Sequence, residues 1–250
     1  MSDLTGKRAV VTGASSGIGA GIASAFVAAG ADVLLVGRDE GRLADVAASS
    51  TGPGSATYLA VDLTADGAPG CVVRTARERL GAVDVLVHSA GIFEGKPFAE
   101  EDCESLDHLW AVNVRAPFLL TQAALTDLRG GGSVIFVSSA CGRVGFPGAV
   151  AYCVTKGAIE MMIKALAVEL GGDGIRVNGI APGWIRTPMN EAILADTSYV
   201  NSQLAATPLG RFGAPADVAP VAVFLASDSA QFVHGACYWV DGGYPSMAAA

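Results

Sequence analysis

The stretch Arg8-Ala9-Val10-Val11-Thr12-Gly13-Ala14-Ser15-Ser16-Gly17-Ile18-Gly19 runs from a short β-branched segment straight into a glycine-rich turn. Apolar residues then continue at helical spacing, which predicts a strand over Arg8 to Thr12 and a helix over Gly17 to Ala29. A strand that turns on glycines into a helix leaves the helix's first N–H groups facing the turn. Glycine permits both the sharp turn and a close approach of backbone to ligand, so this segment predicts a pyrophosphate cradle. Gly13, Ser15, Ser16, Gly17, Ile18 and Gly19 are its candidate residues. A glycine turn alone is a weak signal; the strand before it and the helix after it make it specific.

The same rhythm continues outward. Further strands are predicted at Asp32 to Val36, Ala56 to Val61, Val83 to Val87, Ser133 to Val137, Arg176 to Ile180 and Tyr238 to Val240. Helices are predicted at Glu40 to Ser49, Ala65 to Leu80, Leu106 to Leu128, Ala151 to Leu170 and Ala216 to Ala226. The strands are continuously apolar rather than alternating, so both sheet faces are covered. The expectation is one α/β domain over residues 1–250, doubly wound around a seven-stranded parallel sheet. Residues 183–213 break the rhythm with Pro188 and Pro208 and no clean strand, and are expected to form an irregular segment covering a ligand. No low-complexity tract occurs apart from Ala248, Ala249 and Ala250.

The chain has 250 residues, 51% hydrophobic and 16% charged, which suits one globular core and excludes disorder. A net charge of -8, without runs of basic residues, argues against nucleic acid and against an anionic membrane surface or acidic carrier as an obligatory partner. Mean hydropathy of +0.45 raises the question of a membrane span. The uncharged run from Ala9 to Ala31 holds serines and glycines and divides into strand, turn and helix instead. Five cysteines form no CxxC pair, so neither a disulfide framework nor a zinc site is expected, and a reducing cytoplasm is the default location.

After the second strand, Gly37-Arg38-Asp39 favours NADP over NAD. An acid at that strand end binds ribose hydroxyls, whereas an arginine accepts a 2'-phosphate. Asp62 is placed to accept the adenine amino group or to cap the helix expected from Ala65. Tyr152 and Lys156 lie four apart in a predicted helix, with phenol and ammonium on one face. A neighbouring lysine is expected to lower the phenol's pKa toward the range of an acid/base catalyst. Ser138 and Ser139 end the preceding strand, and Asn113 lies in the long helix expected alongside.

With these motifs in order, the sequence resembles the short-chain dehydrogenase/reductase family over essentially its whole length. Thr12-Gly13-x-x-x-Gly17-x-Gly19 is similar to the family's cofactor turn, Pro182-Gly183 and Thr187 to its nicotinamide-side loop, and Val240-Asp241-Gly242-Gly243 to its C-terminal ending. The resemblance implies the Rossmann fold and a catalytic set of Asn113, Ser139, Tyr152 and Lys156. Tyr152 would transfer the proton and Ser139 would hydrogen-bond the substrate oxygen. Lys156 would bind the nicotinamide ribose and tune Tyr152, and Asn113 would hold a water linking Lys156 to solvent. Leu63, Ser89, Ala90, Gly91 and Ile185 join Pro182, Gly183 and Thr187 as implied cofactor residues, and Thr187 would orient the carboxamide. The family's usual Asn-Asn-Ala-Gly is replaced by His88-Ser89-Ala90-Gly91, so hydrogen bonding there must differ. His88 reads as structural, Cys141 and Cys153 as small buried residues, and no metal is expected.

Substrate candidates by position are Phe93, Ser139, Arg143, Val144, Phe146, Trp184 and Met189, with Ile193 and Tyr199 beyond them. This mainly apolar lining suits a small ketone or secondary alcohol, with Arg143 or Arg186 as an alternative carboxylate partner. The expected activity is that of an NADP-dependent oxidoreductase, a carbonyl reductase or alcohol dehydrogenase. An NAD-dependent alcohol dehydrogenase, a 3-oxoacyl-thioester reductase and a non-catalytic nucleotide-binding regulator are the alternatives. The resemblance further implies a homotetramer assembled through the helices holding Asn113 and Tyr152 and through the last strand.

Overall fold

The computed structural model describes residues 3–244, so the Ala248–Ala250 run lies outside the described residues. The strands are β1 (Arg8–Thr12), β2 (Asp32–Gly37), β3 (Ala56–Ala60), β4 (Val85–His88), β5 (Ser133–Val137), β6 (Arg176–Pro182) and β7 (Cys237–Val240). They form one seven-stranded sheet in the order β3-β2-β1-β4-β5-β6-β7, every neighbouring pair parallel. The helices are α1 (Gly17–Ala28), α2 (Glu40–Ser49), α3 (Ala68–Leu80), α4 (Cys103–Trp110), α5 (Ala116–Leu128), α6 (Val150–Leu170), α7 (Glu191–Leu194), α8 (Thr197–Ala205) and α9 (Pro215–Ala226). Winding runs outward from β1 to β3 and then returns to lay β4 on the other side of β1. The crevice at that reversal, beyond the carboxyl ends of the strands, is where such sheets bind ligands.

Strand register explains the two cores. Val10 pairs with Leu34 and Leu86, and Val11 with Leu35 and Val87. Successive side chains point to opposite faces, so the two sets feed opposite layers. Val11, Leu35 and Val87 pack with Ile22 and Phe26 of α1 and Val218, Ala222 and Leu225 of α9. Val10, Leu34 and Leu86 pack with Val72 of α3, Leu120 of α5 and Ile159 of α6. Full burial of each large side chain stabilises by roughly 1.5–3 kcal/mol, so both layers hold the sheet that carries the crevice.

Three elements differ from the sequence reading. Helix α3 begins at Ala68 rather than Ala65, because Gly67 sits at φ 76° and interrupts the run. Asp62 therefore does not cap it; its carboxylate accepts instead from the N–H and hydroxyl of Thr64. The helix expected from Leu106 to Leu128 starts earlier, at Cys103, where Asp102 accepts from Ser105 N at 2.7 Å. It then passes through a π-helical turn at Ala111–Arg115, closed by Ala116 N donating to Ala111 O. Pro117 has no N–H to give the carbonyl of Asn113 four residues back, which disfavours regular α geometry at this point. Residues 183–213 are not irregular throughout, since they contain α7 and α8. Among the described residues no helix is long and apolar enough to cross a membrane.

Candidate active site

A cleft of about 400 Å³ opens at the crevice. Its floor is backbone. Gly13 and Gly17 hold φ of 67° and 55°, a region that side chains disfavour. A Cβ on Gly13 would lie 2.7 Å from Ala90 Cα, and one on Gly19 only 2.3 Å from Gly13 O. Ser16 precedes α1 without a side-chain capping bond, and the first turn of α1 has no acidic residue. The open N–H groups of that turn, with space only for backbone around them, fit a dinucleotide pyrophosphate. Each residue assigned to the cofactor from sequence lines this cleft: Ser15, Ile18, Arg38, Asp62, Leu63, Ser89, Gly91, Pro182, Gly183, Ile185 and Thr187, together with those just named and Tyr152 and Lys156.

The sheet edge beneath is tied by Thr12. Its hydroxyl donates to Val87 O at 3.2 Å and accepts from Ser89 N and Ala90 N at 3.1 and 3.2 Å. These bonds use the Ser89 backbone, so the hydroxyl in place of the family's amide leaves the strand end anchored. His88 is buried, stacks on Phe136 at 4.7 Å and meets Thr121 Oγ1 at 2.8 Å. Thr121 donates its own proton to Pro117 O, so His88 Nε2 is the donor. Burial drives the imidazole pKa down to about 3, which keeps it neutral.

At the far end of the cleft, Asp39 caps α2 by accepting from Arg42 N at 3.0 Å, and it pairs with Arg42 Nε at 3.2 Å. Arg38 next to it is exposed and lines the cleft with Asp62. Thr64 holds the Asp62 carboxyl below the usual range, with smaller help from Arg38 and His108.

Ser139, Tyr152 and Lys156 meet at the other end. Ser139 Oγ accepts from Cys141 N at 3.2 Å, which leaves its proton free for a substrate oxygen. Lys156 Nζ donates to Val137 O at 3.0 Å and lies 5.6 Å from the Tyr152 ring centre. Asn113 stands behind the cleft wall rather than in it. Its Oδ1 accepts from Ile92 N, and its Nδ2 donates to Ile92 O and Thr155 Oγ1, so both amide protons are spent. A Cβ on Gly91 would lie 3.3 Å from Asn113 Oδ1 and 3.7 Å from Lys156 Nζ, so glycine is what lets these groups converge.

The Tyr152 pKa is shifted up in the free protein, opposite to the direction expected from Lys156 alone. Burial pushes Tyr152 well above the ordinary tyrosine value, the Cys141 and Cys153 thiols add to it, and only Ser139 opposes. Burial also lowers Lys156, to about 8. The sequence reading weighed charge and missed desolvation, which acts on both groups and keeps Tyr152 a protonated donor.

Phe93, Phe146, Trp184, Met189, Ile193 and Tyr199 line the substrate end, joined by Tyr244, which sequence reasoning missed. Phe93 meets the Tyr152 ring edge-on at 5.1 Å. Arg143 and Val144 do not reach the cleft. Arg143 Nε pairs with the buried Glu160 at 2.8 Å and its guanidinium lies over Trp239. Val144 belongs to the turn after β5, its N–H bonded to Ala140 O. Arg186 lies over Phe212. Cys141 lines the cleft, yet burial raises its thiol to about 11, which leaves it inert. Among the described residues no group of three or more His, Cys, Asp or Glu is placed to hold a metal.

Residues 13–245 match a family model described as enoyl-(acyl carrier protein) reductase. The chain is 39% identical over 252 residues to 2-(S)-hydroxypropyl-CoM dehydrogenase 3 of Xanthobacter autotrophicus, covering 98% of each. It is 38% identical over 248 residues to a cyclopentanol dehydrogenase of a Comamonas species, covering 98% of this chain and 99% of that one. A solved structure from Beutenbergia cavernae, assigned as an NAD(P)-dependent gluconate 5-dehydrogenase with NADP bound at low occupancy, superposes with a TM-score of 0.90. That pair is 35% identical over 98% of this chain and 99% of the other. Fold, cleft and relatives together define a nicotinamide-dependent oxidoreductase. The chain belongs to the short-chain dehydrogenase/reductase family.

Proposed function

We propose that the enzyme interconverts a small, uncharged, mainly apolar ketone and its secondary alcohol, with NADP as its cofactor. The observation that carries this reading is the substrate end of the cleft. It is built from aromatic and aliphatic side chains, while both nearby arginines are engaged elsewhere, Arg143 with Glu160 and Arg186 with Phe212. The nicotinamide, when bound, supplies or accepts the hydride. In reduction the Tyr152 phenol gives the carbonyl oxygen its proton, and the Ser139 hydroxyl orients that oxygen. Lys156 holds the ribose and restores the proton balance beside Tyr152. Residues 183–213, with α7 and α8, cover the substrate.

Arg38 supports NADP, because Asp39 is committed to Arg42 and leaves the arginine for a 2'-phosphate. The exposed apolar side chains of Leu106, Trp110 and Phe118 on one helical run and Val154, Met161 and Val168 on α6 support a homotetramer packed through those helices. Free thiols support a reducing cytoplasm. The test is initial rates with NADPH and NADH over ketones, diketones and keto-esters, with Arg38→Ala alongside. The expected result is turnover with NADPH, and an Arg38→Ala loss of about 10- to 100-fold in NADPH affinity against less than about threefold for NADH. Equal loss for the two cofactors overturns the role of Arg38.

A further inference from the structure

Trp184, in the loop after β6, donates its indole N–H to Gln203 Oε1 at 3.1 Å. Tyr244, in the turn after β7, donates its hydroxyl to the same oxygen at 2.7 Å. Both donors line the cleft, whereas Gln203, on α8, stands behind them. An amide oxygen has two acceptor positions, and here both are taken by aromatic residues from segments far apart in the chain. Those residues set the wall's shape: Tyr244 stacks on Phe146 at 5.9 Å with planes 11° apart, and Trp184 meets Tyr199 edge-on at 5.6 Å. Helix α8 buries no side chain fully, so directional bonds rather than a core hold it against the enzyme body. At the end of α8, Thr207 Oγ1 donates to the Gln203 carbonyl at 2.8 Å, and just beyond it Leu209 N donates to Gly242 O at 3.1 Å.

We propose that Gln203 is a positioning residue that pins Trp184, Tyr244 and α8 together, and so sets the aromatic wall that selects and orients the substrate. The proposal rests on the reading of this cleft as the site of an apolar ketone or alcohol. Gln203 touches neither substrate nor cofactor; it acts through the two aromatic residues it holds. Losing its acceptor frees both donors and lets α8 drift, which loosens substrate binding while Ser139 after β5 and Tyr152 and Lys156 on α6 stay in place.

Gln203→Leu keeps the shape and removes the acceptor, whereas Gln203→Glu keeps an acceptor oxygen. In Gln203→Leu, KM for the best ketone is expected to rise about 5- to 30-fold, with kcat and NADPH affinity within about threefold of wild type. Gln203→Glu is expected to restore most of the KM. Tyr244→Phe should raise KM in the wild type and change nothing further in Gln203→Leu, since the bond it removes is already gone. An unchanged KM in Gln203→Leu, or additive losses in the double variant, overturns the proposal. Amide exchange of α8, measured with NADPH and no substrate, decides the matter independently of the reaction. At least tenfold faster exchange in Gln203→Leu and not in Gln203→Glu supports the pin, even if no ketone is turned over and the proposed function fails. Equal exchange in all three proteins overturns it.

Discussion

The two walls of the cleft are built from different material. The cofactor wall is main chain, with glycines at 13, 17 and 19 in places where a Cβ is strained or has no room. The substrate wall is side chains: Tyr199 on α8, a helix that buries no side chain fully, with Trp184 and a Met189 that is 52% exposed on the loop between β6 and α7. A backbone wall is held by the sheet and both cores, so it tolerates almost no change. A side-chain wall can be recut residue by residue while the fold stands. In one molecule, the part that holds the reagent is rigid and the part that selects the substrate is revisable.

The sharpest test separates chemistry from both walls. Tyr152→Phe is expected to cut turnover by about 10²- to 10⁴-fold while NADPH binding, followed by fluorescence titration, stays near wild type. Loss of binding in that variant would merge chemistry with the cofactor wall. Gly13→Ala places a Cβ 2.7 Å from the Ala90 backbone at a φ of 67°. It is expected to weaken NADPH by at least about 100-fold and to cost about 1–3 kcal/mol in thermal unfolding. If calorimetric titration finds binding intact, the backbone wall is softer than its geometry implies.

Lys156→Met probes what the catalytic corner costs the fold. The wild-type lysine has a folded pKa of about 8 against 10.5 for the free side chain, so between those values the unfolded chain binds the extra proton. Wild-type stability therefore rises with pH across that window, and the full penalty of a buried charge is present below it. The methionine variant, without cofactor, is expected to melt about 3–8 °C higher at pH 7, with the gap closing toward pH 10. A gap that persists at pH 10 would point to packing rather than charge. The smallest effect is expected on the substrate wall: Met189→Ala should shift KM only a few-fold and leave the melting temperature within about 1 °C. A larger melting shift would show that this wall, too, supports the fold.

How much was legible in the sequence follows the same division. The β1 turn and α1 were readable because glycine spacing and hydrophobic period are local signals, and Tyr152 with Lys156 because four residues on a helix fix one face. The π turn left a trace in Pro117, but an alternative helix end would leave the same trace. Arg143 was misread as a substrate residue, since the partners that draw it off the cleft lie apart in the chain, Glu160 on the following helix and Trp239 on the last strand. Gln203 and Tyr244 carry no motif, and only the fold brings them to Trp184. The direction of the Tyr152 shift was missed because burial is a property of the packed molecule and charge a property of the residue list.

The π turn at Ala111–Arg115 amounts to a counting offset in the chain. One residue more than an α-helix needs is accommodated there, and each residue turns a helix by about 100°. Everything before the turn is thus dialled relative to everything after it. Trp110 and Leu120 keep their separate allegiances, to the surface and to the core, only while that surplus residue remains. Deleting Val112 would yield a more regular helix and a worse enzyme, since straightening the spiral would turn Asn113 off Ile92 or Leu120 out of the core.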